Sequence, residues 1–556
     1  MRKIFIIILC CVAGLLSGYA GYRGYKVWKN KHLISVGREF LAKSDRRNAA
    51  LSAEEVLRSD PKNLDAVRVM AVLAEAARSP SALVWRSRAV ELAPHSLDDR
   101  LALAQAALTM RDLATATNTL EGVEPADRQT AAYHNVAGLV AAETGNFDQA
   151  EKDFLEVSRL EPQNPSPQLS LAIVRLHRTN KVELAEARAA LHSLALNPTN
   201  SELRCKALRE LTLDAMGYGN ADTGLSLSKQ LIQETNSTFT DRILRLEVLR
   251  ETKNADFNPT LANYQRDAVT NKGNIYELAR WEMAKTSLGG TLNWLHSLPM
   301  SVQTNQPVTL LISECFAEAK DWKKLDAWLA KQQWAELEFL RHALMSRALR
   351  GEELGATAKT EWEQALKAAN AQKQSLVMLL KLAAEWKWVN EGEDLLWTIV
   401  NRYPDEKWAK RALTKTLLDS GQTRSLMQLF SEDLKKNPND LAAMNNLASV
   451  ALLLDAKEMK PNDLARVVYE RVPTNSSFAA TYAFSLYLQG KNAEALKVMQ
   501  QLKPKDLESP AIAGYYGLIL KATGSNAKAR AYLDWTAKGR LLPEEQKLFA
   551  HAKAGT

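Results

Sequence analysis

The residues of this chain that could act on a substrate or hold a metal are eight histidines, four cysteines and one short glycine cluster, and their spacing decides what they can do. His177 and His192 fall on what read as successive helices and could meet. Two lone imidazoles without a nearby acidic or cysteine pattern fall short of the ligand set that zinc takes. Cys10 and Cys11 lie inside an apolar N-terminal run. Cys205 and Cys315 are far apart with no CxxC pair, so they read as two semi-buried thiols on helices and not as a zinc or disulfide framework. In Gly217-Tyr218-Gly219 the third glycine position of a dinucleotide fingerprint is Asp222, and no strand precedes it, which makes the cluster a helix-to-helix turn. No phosphate loop, metal helix, nucleophile elbow or calcium loop occurs. The expectation is a non-enzyme with no catalytic, cofactor-binding or metal-binding residues.

Charge narrows the class further. The net charge of +8 invites a nucleic-acid reading, but residues 1–47 alone hold ten Lys or Arg against Glu39 and Asp45, which leaves the rest formally neutral. A duplex binder needs a basic stripe along its body, whereas basic residues beside an apolar run set topology or touch anionic lipid. No nucleic-acid partner is expected. The run itself, 4–22, has nineteen residues without a charge, bracketed by Arg2-Lys3 and by Arg23, Lys26, Lys29 and Lys31. That length just spans a bilayer and reads as one N-terminal transmembrane helix. The rival is a signal peptide cleaved after Gly18-Tyr19-Ala20. Basic residues between 23 and 38 favour a cytoplasmic body, while the short basic start favours export; the balance falls to an extracytoplasmic, periplasmic body, with the cytoplasm as the alternative.

Positioning elements follow from composition and period. Abundant Ala, Leu, Glu, Lys and Arg suit short helices, and the cleanest repeating unit is 131–164, AAYHNVAGLVAAETGNFDQAEKDFLEVSRLEPQN. This unit resembles the tetratricopeptide repeat (TPR): the family's pattern lands on Ala137, Gly138 and Ala141 in a first helix and on Ala150, Phe154 and Val157 in a second, with Pro162 after it. His134 replaces the usual aromatic and reads as a packed seam histidine, not a base. Steps of about 34 residues carry the template to 63–96 and 97–130, and to a second block at 373–406, 407–440, 441–475, 476–509 and 510–543. Between the blocks the signature fades, yet helix pairs can be drawn from about 167, 201, 238, 273, 306 and 337. The expected fold is all-α: about fourteen TPR-like hairpins in a right-handed superhelical solenoid. Its divisions are 1–37, anchor and basic linker; 38–164, N-terminal cap and TPR block; 165–372, divergent repeats; and 373–556, C-terminal TPR block with a closing polar helix at 543–552.

The resemblance implies a groove lined by the first helix of each pair, able to take an extended peptide or a partner helix. Groove positions of the family map onto Asn135, Lys381, Arg411, Lys415, Asn445, Ser449, Phe484 and Tyr487. Ten of thirteen tryptophans lie between Trp281 and Trp408. Trp322, Trp328 and Trp334 are six apart and cannot share one helix face, so some fill seams; the alternative is an aromatic binding strip. The reading is a membrane-tethered scaffold for protein partners in cell-envelope assembly or secretion, of the kind found among repeat proteins of bacterial envelopes, with no small-molecule substrate and no cofactor. The alternatives are an enzyme or regulatory subunit with a site in 165–372, and a self-assembling structural protein.

Overall fold

The computed structural model describes residues 24–554 except 78 and 80, so the expected membrane segment 4–22 lies outside the described residues. Among the described residues there is no strand, and no helix is long and apolar enough to cross a membrane. Chain contacts divide the protein into two compact units, Met1–Gln303 and Thr304–Thr556. The division falls inside the divergent 165–372 region.

Both units are built from successive antiparallel helix pairs. Fourteen can be traced, from Leu64–Ala76 with Ser81–Leu92 to Pro510–Ala522 with Asn526–Trp535. In the middle region, where the signature is weakest, first helices begin at Ser166, Ser201, Phe239, Lys272, Val308 and Glu338. One boundary differs from expectation. Residues 24–37, read as a linker, are helical and continue to 42, because Ile34 buries against Ala49, Ala53, Val56 and Ala66 and so makes a full pair with Arg46–Ser59.

Small residues set the spacing within a pair. A Cβ on Gly138 would stand 2.8 Å from the Phe154 ring, and one on Gly517 would stand 2.8 Å from Leu533, so each glycine admits the bulky residue of its second helix. The turn between helices repeats as strictly as the seam. Gly145, Gly421, Gly490 and Gly524 all take left-handed backbone angles, with φ from 67° to 85°. At the matching turn of other pairs the same conformation is carried by Arg111, Lys253, Lys320, Glu353, Lys387 and Asp455. These pairs keep the geometry without the glycine that favours it.

The expected helix-to-helix turn at 217–219 is present: helix Ser201–Gly217 ends there, Gly219 has φ 73°, and Ala221–Leu231 follows. Cys205 and Cys315 are buried and form no disulfide. The tryptophans divide between seams and surface. Trp294, Trp334 and Trp362 are buried, while Trp322 and Trp328 are half-buried.

The last helix departs most from the sequence reading. Pro543–Ala554 is not a polar end cap: it buries Phe549 and Ala552 against Leu452, Phe484, Tyr515, Leu518 and Leu533. The segment leading into it turns back to an earlier pair, where Arg540 forms an ion pair with Asp419 and Thr423 hydrogen-bonds Glu544.

Candidate functional site

Within Thr304–Thr556, the first helices of successive pairs enclose a cavity of about 900 Å³. Helix Lys407–Asp419 forms one wall. Its positions 407, 411 and 415 recur every four residues and so share a face, which puts Lys407, Arg411 and Lys415 in one stripe along the cavity. Helix Leu441–Leu453 contributes Asn445 and Ser449, each 34 residues after Arg411 and Lys415. The opposite wall is apolar: Ala480 and Phe484 from Ser476–Leu488, and Ile512 and Tyr515 from Pro510–Ala522. Arg540, Leu541, Leu542 and Glu545 bound the remaining side.

Five cationic side chains line this space against three acidic ones, and the acids are already engaged. Lys410 donates to both oxygens of Asp433 at 2.8 and 2.9 Å, Arg540 pairs with Asp419, and Tyr515 donates to Glu545 at 2.5 Å. Burial, and next the Glu545 charge, push the Tyr515 phenol well above its ordinary range, so it stays a donor. Lys407, Arg411 and Lys415 have no ion pair among the described residues. Like charges four apart on a helix repel. Asn445 is 7 % exposed, and its Oδ1 is sealed from solvent yet accepts no hydrogen bond. A buried polar atom without a partner costs the full desolvation of that group. The cavity therefore offers an occupant unpaired positive charge and apolar surface.

Of the eight groove residues read from the sequence, the structure brings five together here: Arg411, Lys415, Asn445, Ser449 and Phe484. Tyr487 stacks on Phe484 at 6.3 Å but does not line the cavity. Lys381 is exposed on helix Lys373–Glu385, away from it. Asn135 is half-buried in the other unit. Phe484 is only 3 % exposed, because Tyr515 lies 4.6 Å away and Phe549 of the last helix covers the same cluster. The sequence reading placed this helix, at 543–552, but as a polar cap without a covering face. The available signal was Glu545, Phe549 and Ala552 at spacings of four and three, one face of a helix.

The histidines read as structural are held as such. His134 Nδ1 lies 2.7 Å from Asp153 in the seam of its pair, and His177 stacks on Phe147 at 4.9 Å. No group of three or more metal-ligating side chains converges among the described residues. In 165–372 the most perturbed carboxyl is Glu282, pushed by burial to about 7, but it is 1 % exposed and is held by Gln265 at 2.9 Å.

No family model and no curated protein matches the chain. Solved structures similar to parts of it include PilF of Pseudomonas aeruginosa, 17% identical, with 41% of this chain aligned to 99% of that one at a TM-score of 0.31. A second is the complex of Naa15/Naa10 bound to HypK-THB, 10% identical over 94% of this chain and 96% of that one, TM-score 0.30. A third is PilW, a widely conserved type IV pilus biogenesis factor, 17% identical over 43% and 92%, TM-score 0.27. At these scores the fold rests on the chain's own helix pairs: small residues in the seams, left-handed turns at a fixed position, and first helices that share one face.

Proposed function

We propose that this chain is a non-catalytic scaffold for protein partners, held at a membrane by residues 4–22, that receives a partner segment along the first helices of its C-terminal repeats. One observation carries the reading. Arg411 and Asn445, and likewise Lys415 and Ser449, are 34 residues apart in sequence yet line a single cavity, with Phe484 on its apolar wall. A repeat array gains a continuous binding surface in this way, from equivalent positions of stacked units. Aromatic and Arg or Lys anchors supply most of the energy at such surfaces. The nineteen uncharged residues of 4–22 and their basic flanks support the tether, and the short basic start supports an extracytoplasmic body serving envelope assembly or secretion.

A photo-reactive residue placed at Arg411 or Ser449 of the full chain in native membranes tests this. The expected result is one specific protein adduct that disappears when Lys415 becomes Glu. Adducts no more specific than those from the exposed site Lys152 would refute the scaffold reading.

A further inference from the structure

The chain's own last helix borders the cavity, with Leu541, Leu542 and Glu545 at its start among the lining residues. That helix meets a prepared seat. Gly514 leaves room for the Phe549 ring, since a Cβ there would stand 2.5 Å from two ring carbons. Tyr515 meets Phe549 edge-on at 5.3 Å. The first turn of the helix is acidic: Glu544 accepts from Thr423, while Glu545 accepts from Tyr515 at 2.5 Å and from the Leu542 N–H at 2.8 Å, which caps its own helix.

The hold is partial. Of the twelve residues of Pro543–Ala554, only Phe549 and Ala552 are buried. An isolated helix of this length is marginal in water, and it buries two residues where Pro510–Ala522, on which it packs, buries nine, the contrast that separates elements that open early from those that open late. The tail also leaves the rest of the site unsatisfied. It forms no ion pair with Lys407, Arg411 or Lys415, and about 900 Å³ remains beside it.

We propose that 541–554 is a tethered, displaceable occupant of the binding site. The partner is then an amphipathic helix of the same pattern, acidic in its first turn and aromatic about one turn later, with further acidic residues ahead of it that reach the cationic stripe. Such a segment repeats the tail's acidic and aromatic contacts with Thr423, Tyr515 and Gly514 and adds the charge complementarity that the tail lacks, which is its means of displacing a covalently attached competitor. This rests on reading the cavity as a protein-binding site.

Two probes test it: a labelled peptide of residues 539–556, and the same peptide preceded by about four glutamates, chosen to extend across the stripe. In the full chain carrying Phe549→Asp, which releases the tail, both bind, and the glutamates tighten binding by about tenfold or more. Adding Arg411→Glu and Lys415→Glu removes that gain and leaves the unextended peptide unchanged. A Phe549→Asp chain with native helicity and melting that binds neither peptide overturns the proposal, as does a glutamate gain that survives the charge reversals. Should Phe549→Asp unfold, hydrogen exchange of the unaltered full chain decides: amides of Pro543–Ala554 exchange at least about tenfold faster than those of Pro510–Ala522 and faster still with the extended peptide. Exchange of the two helices as one unit, with or without peptide, overturns it. A partner crosslinked at position 411 while the tail's exchange stays unchanged overturns this inference and leaves the scaffold reading standing.

Discussion

The two units differ in how completely the cations of their first helices are paired. In Met1–Gln303, neighbouring first helices are joined by forked ion pairs: Arg68 Nε and Nη2 donate to Asp99 at 2.9 and 2.6 Å, and Arg209 donates likewise to Asp241 at 2.7 and 3.0 Å. Both acids sit at the third residue of a helix and are almost fully buried. In Thr304–Thr556, Arg350 pairs with Glu391 and also lies 3.7 Å from the Trp388 ring, while Arg347 lies 5.8 Å from Trp322 and 4.9 Å from Trp386 with no ion pair among the described residues. Two repeats further on, Arg411 and Lys415 form no ion pair among the described residues. On the function proposed above, paired charge marks a structural seam and unpaired charge marks the face that takes a partner.

The largest expected effect breaks a seam. For Asp241, burial works against the charge, but the Arg209 bonds and those from Thr238 outweigh it and hold the carboxyl below its ordinary range. Asp241→Ala leaves Arg209 without its partner and should cost about 3–5 kcal/mol, read from chemical unfolding of the full chain. Replacing both residues, Arg209→Met with Asp241→Leu, should recover most of that loss. Equal losses in the single and double variants would mean that packing, not the pair, joins these helices.

Glu282 gives the next effect and shows a seam whose charge is suppressed. Burial raises its carboxyl from 4.5 to about 7, against the opposing hydrogen bonds of Gln265 and Thr291. The folded chain therefore holds a proton that the unfolded chain releases between pH 4.5 and 7. The contribution to stability is whole below that window, falls through it, and is flat above. Glu282→Gln should remove this slope and gain about 3 kcal/mol at pH 8, measured by exchange in helix Lys272–Lys285. An unchanged slope would place the proton elsewhere. In the other unit, Arg347→Met keeps the apolar stem and deletes the charge between Trp322 and Trp386, with an expected loss of about 1 kcal/mol by thermal unfolding. A neutral result would leave those rings as simple packing.

The pattern of pairs was legible because Gly138, Ala150, Phe154 and the Gly145 turn together fix a period. It faded in the middle because the left-handed turn there is carried by residues such as Lys253, Lys320 and Glu353, which give no sequence signal for it. The turn geometry is imposed by the packing of the two helices, at a local cost of about 1 kcal/mol. Lys387→Gly should return about that amount on thermal unfolding, less the added freedom of the unfolded chain. The site was half legible for a similar reason. Repeat register puts Arg411, Lys415, Asn445 and Ser449 at equivalent positions of successive first helices, where they line one cavity, since it describes helices in sequence order. It cannot show that Phe549, 65 residues after Phe484, returns to cover it, because that contact depends on a chain reversal at 539–542 that belongs to no repeat.

The smallest stability effect discriminates best between the two uses of charge. Arg411→Gln with Lys415→Gln removes two cations that are exposed, unpaired and four residues apart on one helix. If they served the fold, as Arg209 does, their loss would destabilise. Like charges at this spacing instead cost a few tenths of a kcal/mol, so the double variant should unfold at the same denaturant concentration as the parent or slightly higher. Crosslinking of a partner at Ser449 should fall sharply in the same protein. A loss of stability with unchanged crosslinking would reverse the assignment and make this stripe one more seam. Retained stability with lost crosslinking would show that the charges serve a surface outside the chain.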